Sequence, residues 1–187
     1  MQPLAHLLID GQLGPLSNEC ANYGIFSLQS LLEWVEQLPY GRNSHRNHSL
    51  VLAEEKGTCS TKNALIKAVA HEQGWHNVHL FIGFFLMDAE FDSRLKPILQ
   101  KNELAFIPEA HCFLEINEQF VDVSGLNEKR KKIDFKFLKT IEINADQINS
   151  FKQDLHKKFI KKYATQLAVD LNQIWTIRET CIEAFSK

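Results

Sequence analysis

Glu54-Glu55-Lys56-Gly57-Thr58-Cys59-Ser60-Thr61-Lys62-Asn63-Ala64-Leu65-Ile66 is the stretch from which the rest of the chain is read. A glycine and a small hydroxyl residue lead into Cys59, and apolar residues at helical spacing begin directly after it. The pattern predicts a helix over about 60–73, with Ala64, Leu65, Ala68 and Val69 on its buried stripe and Gly74 ending it. A thiol then sits in the first turn of a helix, where unpaired backbone N–H groups and the positive end of the helix dipole favour thiolate over thiol. Small residues on the stripe suit a helix packed closely against a sheet.

Further along, Ala110-His111-Cys112-Phe113-Leu114-Glu115-Ile116 places a histidine at the start of an apolar strand, and Gln119-Phe120-Val121-Asp122-Val123 reads as its partner. The two form a hairpin turning at Asn117-Glu118. If Ile116 pairs with Gln119, His111 faces Ser124 and Phe113 faces Asp122. His111 and Asp122 then share one sheet face on a diagonal, within reach of a carboxylate–imidazole hydrogen bond. Cys112 points to the opposite face, into the core. Cysteine, histidine and aspartate in this order can supply a nucleophile, its base and the group that orients the base.

Gly57-Thr58-Cys59-Ser60-Thr61-Lys62 before a helix, Pro108-Glu109-Ala110-His111-Cys112-Phe113-Leu114 and Phe120-Val121-Asp122 resemble the transglutaminase-like superfamily, and within it a group of small bacterial proteins. Leu38-Pro39-Tyr40-Gly41-Arg42-Asn43-Ser44 and Trp175-Thr176-Ile177-Arg178-Glu179-Thr180-Cys181-Ile182 extend the likeness over roughly 38–182. Phe120 stands where that superfamily usually has a tryptophan, and the spacing from histidine to aspartate is shorter than is common there. The resemblance implies a papain-like α+β core, with an antiparallel sheet against the N-terminal end of the cysteine helix and helices after it. It also implies a Cys-His-Asp triad at Cys59, His111 and Asp122.

The expected activity is thiol-dependent acyl chemistry on a peptide or isopeptide amide, hydrolysis being favoured over transfer to an amine. The competing class is an inactive scaffold that holds a peptide or protein partner in the same cleft. Neither needs a metal or an organic cofactor. The Cys59 N–H is one natural oxyanion donor, and Asn22, Tyr40 and Asn43 are candidates for the second. Trp34, Trp75 and Trp175 read as core or interface residues. His45, His48, His71 and His76 lack a cysteine or carboxylate at ligand spacing.

The 187 residues, 44% hydrophobic and 24% charged, fit one globular domain. A formal charge of −2 gives no reason to expect nucleic acid or an anionic membrane as partner. Lys129-Arg130-Lys131-Lys132 and the helical set Lys157, Lys158, Lys161, Lys162 read as solvated surface. Four scattered cysteines (Cys20, Cys59, Cys112, Cys181) with no CxxC pair fit reduced thiols. Leu4–Ile9 is too short for a signal peptide and has no basic residue before it, and the longest apolar run, Leu80–Met87, cannot span a bilayer. The expected location is therefore the cytoplasm.

Residues 1–16 read as an irregular lead-in. Ser27 caps a helix striped by Leu28, Leu31, Leu32, Val35 and Leu38 and ended by Pro39. Val78–Met87 is a buried strand, a short helix lies around Phe91–Lys101, and Thr140–Ile143 is an edge strand. Ile148, Phe151, Leu155 and Phe159 mark one late helix, and Leu171, Ile174, Trp175, Arg178, Cys181, Ile182 and Phe185 a final one.

Overall fold

The computed structural model describes residues 6–125 and 135–186. The β-branched and aromatic run becomes β1 (Val78–Met87), the spine of the sheet. β2 (Ile107–Ile116) runs antiparallel along its whole length, from Val78 opposite Ile116 to Met87 opposite Ile107. β3 (Gln119–Val121) lies on the far side of β2 and β4 (Lys139–Ile143) on the far side of β1, so the order is β3-β2-β1-β4, antiparallel throughout. The fold is α+β, as expected. The hairpin register is also as expected, with Ile116 opposite Gln119. Asn117 and Glu118 take φ of 51° and 63°, the left-handed pair that a two-residue type I′ turn requires.

Strand alternation divides the interior in two. Leu80, Ile82 and Phe84 of β1 and Ala110, Cys112 and Leu114 of β2 face one core, shared with α1 (Pro15–Asn22), α2 (Leu28–Gln37), α3 (Leu50–Glu54) and the cysteine helix α4 (Cys59–Glu72). Phe85, Met87 and Ile107 face a second core with α5 (Lys96–Lys101), α6 (Ser150–Leu167) and α7 (Leu171–Glu183). Ser27 caps α2, accepting from Ser30 N–H at 3.1 Å, and Leu38 is extended because the following Pro39 disfavours a helical conformation.

The sequence reading needs correction at five places. The lead-in holds regular contacts: Leu8 bridges Ser27, Ile9 is buried, and Pro15 already opens α1, where proline suits the first helical turn. Ser49–Ala53, read as a plain apolar passage, holds the short helix α3. His111 lies inside β2, not at its start. The helix near Phe91–Lys101 is a 3₁₀ turn (Ser93–Leu95) followed by α5. Finally, α6 buries Lys152, His156 and Ile160, while Phe151 is exposed and Leu155 and Phe159 are half-buried against the first core. The lysines at 157, 158, 161 and 162 are exposed as expected, and the 129–132 run lies outside the described residues. Among the described residues no helix is long and apolar enough to cross a membrane.

Glu118 holds a left-handed conformation that costs an L side chain about 1–2 kcal/mol. Glycine there would recover this less about 0.4–1 kcal/mol of unfolded-chain entropy. Glu118→Gly is therefore expected to stabilise the protein by about 0.5–1 kcal/mol, read as a higher urea midpoint at unchanged slope.

Candidate active site

The backbone ahead of α4 is pinned before the cysteine is reached. Tyr40 forms a parallel bridge with Gly57; Gly41 N–H donates to Gly57 O at 3.1 Å, and Gly57 N–H donates to Pro39 O at 3.2 Å. A β-carbon at Gly57 would meet the side chains of Lys62 and Thr61 at 2.8 Å, so only glycine lets the segment pass. Thr58 is the N-cap, its N–H donating to Thr61 Oγ1 at 3.0 Å, and α4 begins at Cys59 itself. As the first helical residue, Cys59 has a backbone N–H without an acceptor inside the helix.

The helix start docks on a break in the sheet. β3 ends at Val121, so beyond Leu114 the edge of β2 facing it is unpaired. Asn63, one turn into α4 and fully buried, fills the gap. Its Nδ2 donates to Cys112 O at 3.0 Å and to Cys59 O at 2.8 Å, and Val123 N–H reaches its Oδ1 at 3.5 Å. The Cys112 N–H is left pointing at the Cys59 sulfur. Asn63 Nδ2 also reaches Asp122 Oδ1 at 3.3 Å, so one amide joins the cysteine helix, the histidine strand and the aspartate.

His111 Nε2 and Asp122 Oδ2 are 3.0 Å apart, across the diagonal that the strand register defines. Ser124 supplies two further donors to the carboxylate, its N–H to Oδ1 at 3.0 Å and its hydroxyl to Oδ2 at 2.9 Å. With Nε2 engaged, Nδ1 is the ring nitrogen left for the thiol, and the imidazole and the sulfur are close enough that each favours the charged form of the other. Phe135 stacks on the imidazole at 4.4 Å and 19°.

The electrostatics favour an ion pair. Burial alone would raise the Cys59 thiol; the charges of Lys152 and then His111, with hydrogen bonds from His111 and the Cys112 N–H, bring it down to about 6. Burial would discharge His111, but Asp122 and Cys59 hold it protonated up to about 10. Burial pushes Asp122 up as well, and His111 and Ser124 outweigh this, so its carboxyl stays below the usual range. The other thiols move the opposite way, mainly through burial: Cys20 to about 12, Cys181 to about 11, and Cys112 upward. All four are free and buried, and Cys59 alone is activated.

A cleft of about 470 Å³ opens above the sulfur between the 40–49 loop, the start of α4, α6 and α7. Lys152 enters it from α6, only 7% exposed, with Nζ donating to Ser60 Oγ at 2.7 Å. Glu109 and Arg178 form a buried two-pronged pair, at 2.7 and 2.8 Å, that ties β2 to α7. His156 donates from Nε2 to Pro108 O at 3.0 Å; burial, Arg178 and Lys152 bring its pKa down to about 4.

The structure thus brings Cys59, His111 and Asp122 together. Of the oxyanion candidates, Asn22 is exposed at the end of α1, and the Asn43 amide is committed to Glu54 and to Lys56 O. Tyr40 remains, lining the cleft with Cys59; burial, the largest effect, and the nearby Cys59 charge raise its phenol well above the ordinary value, so the hydroxyl keeps its proton. Trp34 and Trp75 pack against the first core as expected, but Trp175 also forms part of the cleft wall. Lys152 and Asn63 were not singled out from sequence. The signal for Lys152 was its place at helical intervals between Ile148 and His156. Among the described residues, no group of three or more His, Cys, Asp or Glu side chains is placed to hold a metal. Compared with protein-family models, curated proteins and solved structures, the chain matches none.

Thiolate forms as pH rises through about 6, and the imidazolium is lost as pH rises through about 10, so the ion pair occupies the window between. Iodoacetamide should therefore label Cys59 with a half-maximal rate near pH 6, against about 8.5 for a free thiol. Lys152→Met and His111→Ala should each move that midpoint upward. A wild-type midpoint at or above about 8.5 would contradict this charge arrangement.

Proposed function

We propose that the protein is a thiol-dependent enzyme acting on an amide, cleaving a peptide or isopeptide bond through a thioester. One observation carries this: Cys59 is the only cysteine of four whose thiol is lowered, and it lines a cleft beside a histidine that an aspartate orients. The antiparallel sheet against the start of the cysteine helix is also what the transglutaminase-like resemblance implies, and it supports the same assignment.

In the resting site Cys59 is thiolate and His111 imidazolium. The sulfur attacks the amide carbonyl, forming the C–S bond. The oxyanion meets the Cys59 N–H at the helix start, with the Tyr40 hydroxyl as second donor. His111 gives its Nδ1 proton to the departing amine as the C–N bond breaks. Water then attacks the thioester, His111 takes its proton, and the carboxylic acid leaves with Cys59 restored as thiolate. Asp122 remains ionised, fixing the ring through Nε2. Lys152 neutralises the thiolate in the resting state and donates to Ser60 Oγ, which itself lies 3.9 Å from the Cys59 sulfur. Hydrolysis is preferred over transfer because water resolves the thioester without a second bound acceptor.

The test is turnover of a panel of peptide amides and glutamine donors, with and without an added amine, alongside capture of the thioester by hydroxylamine. Cys59→Ala should abolish turnover with the fold intact, and Asp122→Asn should lower kcat/KM by roughly 10²–10⁴-fold. Turnover that survives in Cys59→Ala would exclude the mechanism. A slow Cys59 with no trapped thioester would favour the scaffold that holds a peptide without cleaving it.

A further inference from the structure

The charges around the cleft do not cancel. Arg42, Arg46, Lys152 and Arg178 all line it, and among its described lining residues there is no aspartate or glutamate. Two carboxylates answer these four cations from behind the wall. Glu109 gives both oxygens to Arg178, and Glu179 is shared between Arg178 and Arg42. Lys152 has Cys112, Cys59 and Glu109 around it, so both the Cys59 thiolate and the Glu109 carboxylate answer its charge. That leaves Arg46 at the rim, held by the side-chain carbonyl of Gln153, a neutral group, in the amide orientation that satisfies both residues. Arg46 is exposed at the cleft mouth, and there partial desolvation and repulsion from Arg42 and Arg178 outweigh the attraction of Glu179, which is the environment an incoming anion would relieve.

We infer that the cleft selects an acidic acyl donor, a peptide segment whose carboxylate sits on Arg46 and Arg42 while its amide lies at Cys59. The position of the amide rests on the proposed nucleophile; the anion preference rests only on the lining. A guanidinium presents a planar fork that matches a carboxylate at two points, so arginines at the rim give direction as well as attraction. The uncancelled charge is focused in a concave site beside the thiol, on a protein whose formal charge is −2. The aromatic rings in its lining are Tyr40 and Trp175, and Trp175 is covered by Arg178 and Lys157 instead of offering an open stacking face, which argues for a short acidic peptide over a polynucleotide. Lys157, exposed on α6 and 5.5 Å from the Trp175 ring centroid, continues the positive field outward along the peptide's path.

Two measurements separate this inference from the catalytic one. In the Cys59→Ala protein, fluorescence anisotropy would follow a labelled hexapeptide containing two glutamates, its glutamine-matched form and its lysine-matched form. The glutamate peptide should bind at least about tenfold more tightly than the glutamine peptide at about 20 mM salt, with the margin shrinking at about 0.5 M as screening sets in. Arg46→Gln should remove most of the margin and Arg46→Lys should restore part of it. Equal binding of the two peptides, a margin unchanged in Arg46→Gln, or equal competition by a short DNA oligomer would each overturn the inference. Separately, wild-type Cys59 would be alkylated by iodoacetate and by iodoacetamide. A fast, low-pH reaction with no excess for iodoacetate over a free thiol keeps the nucleophile and counts against the anion site. An inert Cys59 alongside tight glutamate-peptide binding does the reverse.

Discussion

The site depends on a short strand. Because β3 stops at Val121, the backbone of Cys112 is not consumed by the sheet, and the buried Asn63 amide takes the place of the missing ladder. A buried polar backbone group without a partner is costly, so this amide is a structural requirement as much as a local contact. By bonding Cys112 O, Cys59 O and Asp122 together, it fixes the cysteine helix relative to the strand that carries His111. The sulfur therefore inherits three favourable influences from one docking event: the helix start, the Cys112 N–H and the imidazole.

Around this joint the protein buries an unusual number of charges. Lys62 is wholly enclosed, its ammonium donating to Leu38 O at 2.6 Å and Ser124 O at 3.1 Å, which ties the end of α2 to the loop that positions Asp122. Glu109 and Arg178 join β2 to α7, and Lys152 joins α6 to Ser60. Buried ions rarely increase stability over an apolar replacement, and their retention here coincides with the thiol they surround. Lys152 reaches the cysteine turn from α6 and the Glu109–Arg178 pair brings α7 to the cleft wall, so the elements reached last in the chain also set the electrostatics around the thiol.

That geography explains what was legible in the sequence. Val78–Met87 and the turn at Asn117-Glu118 followed from local composition, and with them the register that sets His111 diagonal to Asp122. The helix start at Cys59 followed from a glycine, a hydroxyl and a small-residue stripe. The first half of β2 was hidden because Pro108 and Glu109 argue against a central strand; pairing with β1 and the distant Arg178 make them acceptable there. α6 was turned the wrong way because hydrophobicity favours Phe151 inward over Lys152. The interior partner of Lys152 is Ser60, ninety-two residues earlier, and no local pattern carries that information. α3 is too short to show a helical period.

Gly83 faces His111 across β1 and β2, and a β-carbon there would come within 2.3 Å of the Phe137 ring. Its bare backbone makes room for Phe137, which stacks on Phe135, and Phe135 in turn lies flat on the imidazole. One ring face of His111 is thereby covered by hydrocarbon and the side chain is only 3% exposed, so bulk water has little access to the imidazole from that side.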